Sequence, residues 1–532
     1  MSGASHDSWR LLKGMFQAGM WLHGMAKAAE HEARAAAAAA EASKPLDPML
    51  GLAAGDDLNR YRYRPGAFHL GRIHEDHGVS FDAGLLDDRH IFMVAGNRAG
   101  KGRSLGIRNC LTWPGPIFCI DPKGEAASIC AVHRGTAAAA KGTGTSVRAF
   151  HGQPVGILDP LGEVRGPARA YRTGYNPLVD VDLRRGGGVK AIRAVASAII
   201  TQESGDQVHF SETAETLLAG VIEAVKLKEK AEDQTLPFCR SLLSREFDTL
   251  HDYLSKGTET RAGLAREAAA LMDQVGSDEW GSHRSTLSRN LKWLAAPEMQ
   301  DHLRPVGFSL RQAVQSGWSI FVVIPPLQVA DYKPWLRLTV RMALEAKADL
   351  GVNQRGPQTL FLLDEFGSAL GHFQLIEDAA GNMAGYGIKL VPIIQNIGQV
   401  VKLYQKNWET FLGNAGAIVA WGLNDKDSET YIADRLGHIM VSEYSAGSSG
   451  SWSAGGGSGG SSYNIGRHQR PVRFPNQVHE EGARETMRAF VIPASGRGFT
   501  IRRVNYDKEE GLHFDHPDYI SAWERRFSSK IG

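Results

Sequence analysis

Apolar positions in this chain come in two textures. Short runs such as Ile91–Ala95 (IFMVA), Pro116–Ile120 (PIFCI), Val155–Leu158, Ser319–Ile324 (SIFVVI), Thr359–Leu363 (TLFLL), Ile388–Ile394 (IKLVPII) and Ala417–Trp421 are apolar almost throughout and stop at polar or turn-forming residues. That texture predicts strands of a parallel sheet covered on both faces. From Val189 to about Leu303 the period lengthens. Val189, Ile192, Val195, Ala196 and Ile199 recur at helical spacing, as do Leu218, Val221, Ile222 and Val225, and further helical stretches follow at Phe238–Leu254, Arg261–Val275 and Leu287–Leu294. A helix is predicted over Trp335–Leu350 and a β-rich stretch over Arg488–Val504. The pattern is that of an α/β protein with a doubly wound, mostly parallel sheet and an inserted all-α domain.

The divisions follow from this. Residues 1–44 are read as an N-terminal amphipathic and Ala-rich helix, 45–187 with 304–532 as a split nucleotide-binding domain, and 188–303 as the all-α insertion. Trp9–Met25 interleaves large apolar residues with Lys13, Gln17 and His23. It is too short and polar for a membrane span and suits an interfacial or partner-binding helix, or a helix capping the core. Residues 445–462 are almost wholly Gly and Ser, with Trp452 among them, and are expected to form a mobile loop. Arg467, Arg470 and Arg473 follow as a basic strip, facing either solvent or DNA or a neighbouring subunit.

Two segments carry candidate chemistry. In Ile91–Ser104 (IFMVAGNRAGKGRS) an apolar strand enters a Gly-rich turn ending in Gly100 and Lys101, the layout of a phosphate-binding loop. Amides of Gly96, Asn97, Arg98, Ala99, Gly100, Lys101, Gly102, Arg103 and Ser104 are candidates to surround a polyphosphate, with Lys101 reaching its terminal phosphates. A strict pattern has Gly at Ala95 and a hydroxyl at Gly102, and Ser104 is the candidate substitute for that hydroxyl. In Thr359–Glu365 the apolar run ends in Asp364 and Glu365, which would emerge at the carboxyl end of a strand, where ligands of such sheets lie. Asp364 is the candidate magnesium carboxylate and Glu365 the candidate for polarising an attacking water. Gln395, at the end of a neighbouring strand, suits sensing a γ-phosphate or orienting water, and equally a structural role. The cluster Asp121–Glu125 is read either as a further contributor to the same crevice or as an ordinary turn.

Composition narrows the partners less. A net charge of +2 supplies no global basic field, so any nucleic-acid surface must be local. Cys110, Cys119, Cys130 and Cys239 have no metal-ligand spacing and are expected as buried thiols in a reducing, cytoplasmic compartment.

The segments HIFMVAGNRAGKG, LTWPGPIFCIDPKGE, the YNPL turn at Tyr175, LLDEFGSALG at Leu362, and the GYG and IIQ elements near Gly385 and Gln395 are similar to those of type IV secretion coupling proteins, the TraG-like ATPases of conjugative DNA transfer. The resemblance spans roughly residues 67–510. It implies a RecA-like motor domain of the FtsK and HerA type, ATP and Mg2+ as cofactors, a homo-hexameric ring, and work with DNA, a relaxase or an effector protein at type IV secretion channel components. It also implies location at the inner face of the bacterial inner membrane, with attachment here peripheral through Trp9–Met25 or through a partner. Ala384 stands where many relatives place an arginine finger before the GYG element, so slow hydrolysis is expected unless another arginine serves. The alternatives are a DNA pump for another process and a non-hydrolysing nucleotide-binding cargo adaptor.

Overall fold

The computed structural model describes residues 51–74, 78–135, 153–184, 187–202, 208–256, 263–352, 357–451 and 458–507, with scattered positions between 9 and 37. The chain forms two compact units. One comprises residues 54–429 and 476–532, the other residues 1–53 and 430–475.

The first unit is built on an eleven-stranded sheet, ordered β2-β1-β13-β12-β9-β3-β8-β7-β4-β6-β5. The strands are β1 Phe68–Ile73, β2 Phe81–Leu85, β3 His90–Ala95, β4 Ile117–Ile120, β5 Val155–Leu158, β6 Ser319–Val322, β7 Thr359–Leu363, β8 Ile388–Ile394, β9 Ala415–Trp421, β12 Arg488–Pro493 and β13 Phe499–Arg502. From β9 to β5 every pairing is parallel, while β12, β13, β1 and β2 extend one edge in antiparallel fashion. Every residue of β3 to β9 is buried. That is why their sequences carry no alternation: a strand covered on both faces has no polar side to show. Parallel direction also brings the carboxyl ends of these strands to one edge, and the residues with candidate chemistry follow those ends.

Helices between 188 and 303 belong to the same unit. The helix Val208–Lys228 crosses Leu264–Leu291 closely enough that a Cβ on Gly220 would stand 2.4 Å from the Ala268 Cβ. Two expected boundaries shift. Phe238–Leu254 resolves into Leu236–Leu243 and Phe247–Ser255, while the separately expected Arg261–Val275 and Leu287–Leu294 fall largely on one run, Leu264–Leu291, kinked at Gly276, whose φ is 70°. The helix predicted over Trp335–Leu350 begins earlier, as Val329–Ala348, and carries Pro334 near its start.

The second unit contains a correction. Where residues 445–462 were expected as a mobile loop, the described backbone forms an antiparallel hairpin, β10 His438–Ser451 with β11 Ser458–Pro471. Pairing continues from His438 opposite Pro471 to Ser451 opposite Ser458. Main-chain N–H and C=O groups make this ladder whatever the side chains, so counting apolar area underestimates it. Residues 452–457, Trp452 among them, lie outside the described residues. Arg467 and Arg470 are exposed on β11. In the N-terminal part of the chain residues 9–15 are helical, with Trp9, Leu11, Leu12 and Met15 exposed. No described helix is long and apolar enough to cross a membrane.

Candidate functional site

The Gly-rich turn leaves the end of β3 and re-enters a helix at Lys101, whose first turn, Gly102–Gly106, is a wide π turn leading into Ile107–Thr112. Arg98 (φ 56°) and Gly100 (φ 81°) are both left-handed, a combination that turns successive amides toward one concavity. Gly96 has a steric reason of its own. A Cβ there would lie 1.8 Å from the Gly422 carbonyl oxygen, because the two backbones cross beyond β3 and β9.

Opposite this turn, β7 ends in Asp364 and Glu365. Glu365 is left-handed (φ 54°), strain of the kind that concentrates at functional sites. Its Oε1 accepts a hydrogen bond from the Lys101 ammonium, which also lies 3.5 Å from Asp364 Oδ1. Its Oε2 accepts from Gln395 Nε2 at 2.8 Å. Three strands thus deliver the network, Lys101 beyond β3, Gln395 beyond β8 and Glu365 beyond β7, with β8 lying between the other two. Burial raises the Asp364 carboxyl above its ordinary value, opposed by the Lys101 charge beside it.

These groups line one cavity of about 550 Å³, together with Asn97, Arg98, Gly100, Gly102 and Arg103. Asp121, Pro122, Lys123 and Glu125 line it as well, so the polar cluster after β4 belongs to the crevice. Burial pushes the Asp121 carboxyl up to about 7, although Oδ2 accepts the Ala127 amide at 2.8 Å.

Of the nine loop candidates, Gly96, Ala99 and Ser104 do not line the cavity. Ser104 corrects an expectation: it is buried, and its hydroxyl donates to the Gly100 carbonyl at 2.9 Å. Sitting one turn into the helix, it satisfies a local acceptor and lies outside the cavity lining, away from where a hydroxyl at 102 would stand. A Cβ on Gly102 would meet nothing within 4 Å.

Residues that sequence reasoning passed over surround the back of the loop. The Ala99 carbonyl accepts from Trp421 Nε1 at 2.9 Å and from Arg503 Nη1 at 2.6 Å. Arg103 is paired with Asp507, and its carbonyl accepts the Tyr506 amide at 2.9 Å. No local pattern marks these partners, since each lies hundreds of positions from the loop.

Comparison with known proteins agrees with this geometry. Residues 51–506 match the family model described as Type IV secretory system Conjugative DNA transfer. Conjugal transfer protein TraG of Agrobacterium fabrum is 28% identical over 373 residues, covering 68% of this chain and 53% of the relative. Type IV secretion system-coupling protein VirD4 of Bartonella quintana is 23% identical over 399 residues, 74% of this chain and 59% of the relative. The chain therefore spans a little over half the length of these relatives. In fold it resembles the bacterial conjugative coupling protein TrwBdeltaN70 in complex with sulphate (TM-score 0.61, 15% identity, 86% of this chain and 95% of that one) and the plasmid coupling protein TrwB in complex with ADP and Mg2+ (TM-score 0.60, 15% identity, 86% and 94%). With a family model matched across most of its length and a sheet whose edge gathers the residues that carry the resemblance, this chain belongs to the type IV secretory system conjugative DNA transfer family.

Proposed function

We propose that this chain is an ATP-driven coupling protein that delivers DNA, with its relaxase, or an effector protein to a type IV secretion channel. The observation that carries the proposal is the convergence of Lys101, Glu365 and Gln395 from three strand ends into one cavity. The fold neighbour in complex with ADP and Mg2+ supports the choice of ligand.

In this reading Asn97, Arg98 and Gly100 to Arg103 surround the phosphates with main-chain amides, and Lys101 leaves the carboxylates to bind the terminal phosphates. Asp364 suits Mg2+, which usually takes one or two protein carboxylates and completes its shell with phosphate and water. When bound, Mg2+ would supply charge neutralisation between the β- and γ-phosphates. Glu365 is placed to polarise water, and Gln395, bonded to its second oxygen, to hold that carboxylate in register and to sense the γ-phosphate. Ser104 has no part in this.

The split sheet domain would be the motor and the helices 188–303 the substrate-facing insertion. Subunits would assemble as a homo-hexamer, with DNA contacts offered by exposed Arg467 and Arg470 on the hairpin. Exposed Trp9, Leu11, Leu12 and Met15 would supply a peripheral contact at the inner face of the bacterial inner membrane, beside the channel components. Ala95 at the entry to the loop and Ala384 before the GYG element favour a second reading, an adaptor in which nucleotide is bound without turnover. ATPase activity measured with and without single- and double-stranded DNA, with oligomeric state recorded in the same samples, tests both. DNA-stimulated turnover by a ring is expected. Binding with no turnover would leave the adaptor.

A further inference from the structure

The loop's back face holds a group that the nucleotide reading does not use. Arg503 follows β13 and is 2% exposed. Among the described residues no carboxylate pairs with it. Its guanidinium is spent on main-chain carbonyls: Nη1 on Ala99 at 2.6 Å, Nη2 on Arg484 at 2.9 Å and Nε on Arg488 at 3.2 Å. The guanidinium carbon also lies 5.5 Å from the centroid of the Trp421 ring, and the Trp421 indole donates to the same Ala99 carbonyl. A buried cation with no ion-paired carboxylate is costly, and the carbonyls it binds, the Trp421 ring and the charge of Glu485 offset that cost.

We infer that Arg503 is a positioning residue of the phosphate loop: with Trp421 it pins the Ala99 carbonyl into the protein, so that the Gly100 amide of the same peptide unit is turned to the cavity. The peptide is planar and trans, so its N–H points opposite to its C=O. This peptide rotates through ψ of Ala99 and φ of Gly100, and the left-handed Gly100 is the position that would let it turn most easily. Two donors on one oxygen hold it. The loop is pinned again by Arg103, paired with Asp507 four residues beyond Arg503. The C-terminal end of the sheet thereby sets the shape of an anion-binding turn that opens some 400 positions earlier.

The inference rests on the nucleotide reading, and the test separates the two. Affinity for a non-hydrolysable ATP analogue and for inorganic tripolyphosphate is measured by calorimetry on wild type, Arg503→Met, Arg503→Lys and Trp421→Phe. Arg503→Met should weaken both probes about tenfold or more and by the same factor, since the lost contact acts on phosphate binding alone. Trp421→Phe keeps an aromatic ring, smaller than the indole, and removes one donor, and should weaken both about threefold or more. Arg503→Lys, retaining the charge but not the planar fork, should recover only part of the affinity lost in Arg503→Met. Unchanged tripolyphosphate affinity in a folded Arg503→Met protein, or in Trp421→Phe if the first variant does not fold, overturns the inference. A purely structural role would lower the melting temperature without moving either affinity, and that too overturns it. If wild type binds neither probe, the nucleotide reading itself falls.

Discussion

Lys101 and Glu365 stand 264 positions apart in the chain, and the ammonium of one donates to the carboxylate of the other. With Gln395 on the second carboxylate oxygen, the loop, the acidic strand and the strand between them share one hydrogen-bonded network. A triphosphate entering this cavity would compete with Glu365 for the lysine, releasing the carboxylate toward water. Nucleotide binding and activation of the base would then be one event.

Lys101→Ala removes the ammonium and leaves the strand and turn intact. ATP turnover is expected to fall by about a hundredfold or more, the loss typical of a preorganised electrostatic contact to transferring charge. Far-UV circular dichroism and melting temperature should stay near wild type. Retained turnover in this variant would refute the assignment of the loop.

Glu365→Gln keeps the shape and can still meet Gln395, but cannot polarise water. The expected outcome is turnover lower by about a hundredfold or more, with nucleotide affinity unchanged or tighter because a negative charge beside the phosphates is gone. Equal losses in kcat and affinity would mark Glu365 as a binding residue instead.

At Gly102 the structure leaves open space, so Gly102→Ser is expected to fold without a clash and with a slightly raised melting temperature, glycine being the poorer helix former by about 0.5 kcal/mol or more. It should also lower the Mg2+ concentration that half-saturates turnover. An unchanged Mg2+ dependence would show that position 102 does not face the metal.

Acid should unfold the protein early. Burial lowers His69 and His90 to about 4 and His302 to about 3. His90 shows why: its Nδ1 accepts the Leu390 amide and its Nε2 meets the Ala379 carbonyl, so the ring is held neutral. Each histidine in the unfolded chain takes up a proton below about 6.5, which the folded protein refuses until about 4 or lower. Their contribution is therefore fully present above pH 6.5 and is lost as pH falls toward 4, and toward 3 for His302, at most about 3 kcal/mol each for His69 and His90 and about 5 kcal/mol for His302. Melting temperatures recorded from pH 7.5 to 4.5 should fall steadily below 6.5. A flat profile would contradict the burial of these rings.

What was legible in the sequence was what a local pattern can hold. The apolar runs gave β5 and β8 to the residue, because strands covered on both faces are apolar from end to end. The Gly-rich turn and the Asp364-Glu365 pair announced themselves by abrupt changes of texture at strand ends. The hairpin over 438–471 was hidden because its pairing is main-chain work, and Gly and Ser side chains give it no signature. Ser104 misled because a hydroxyl near a lysine looks available until the helix supplies the Gly100 carbonyl as its acceptor. Trp421, Arg503 and Asp507 were illegible, since only the closed fold brings the end of the sheet against the loop.

The most direct test is a structure of the protein with a non-hydrolysable ATP analogue and Mg2+. The account predicts the γ-phosphate between the Lys101 ammonium and the Glu365 carboxylate, with the lysine moved off Glu365 and Asp364 facing the metal. Nucleotide bound elsewhere, or Lys101 still paired to Glu365 beside a bound triphosphate, would contradict it.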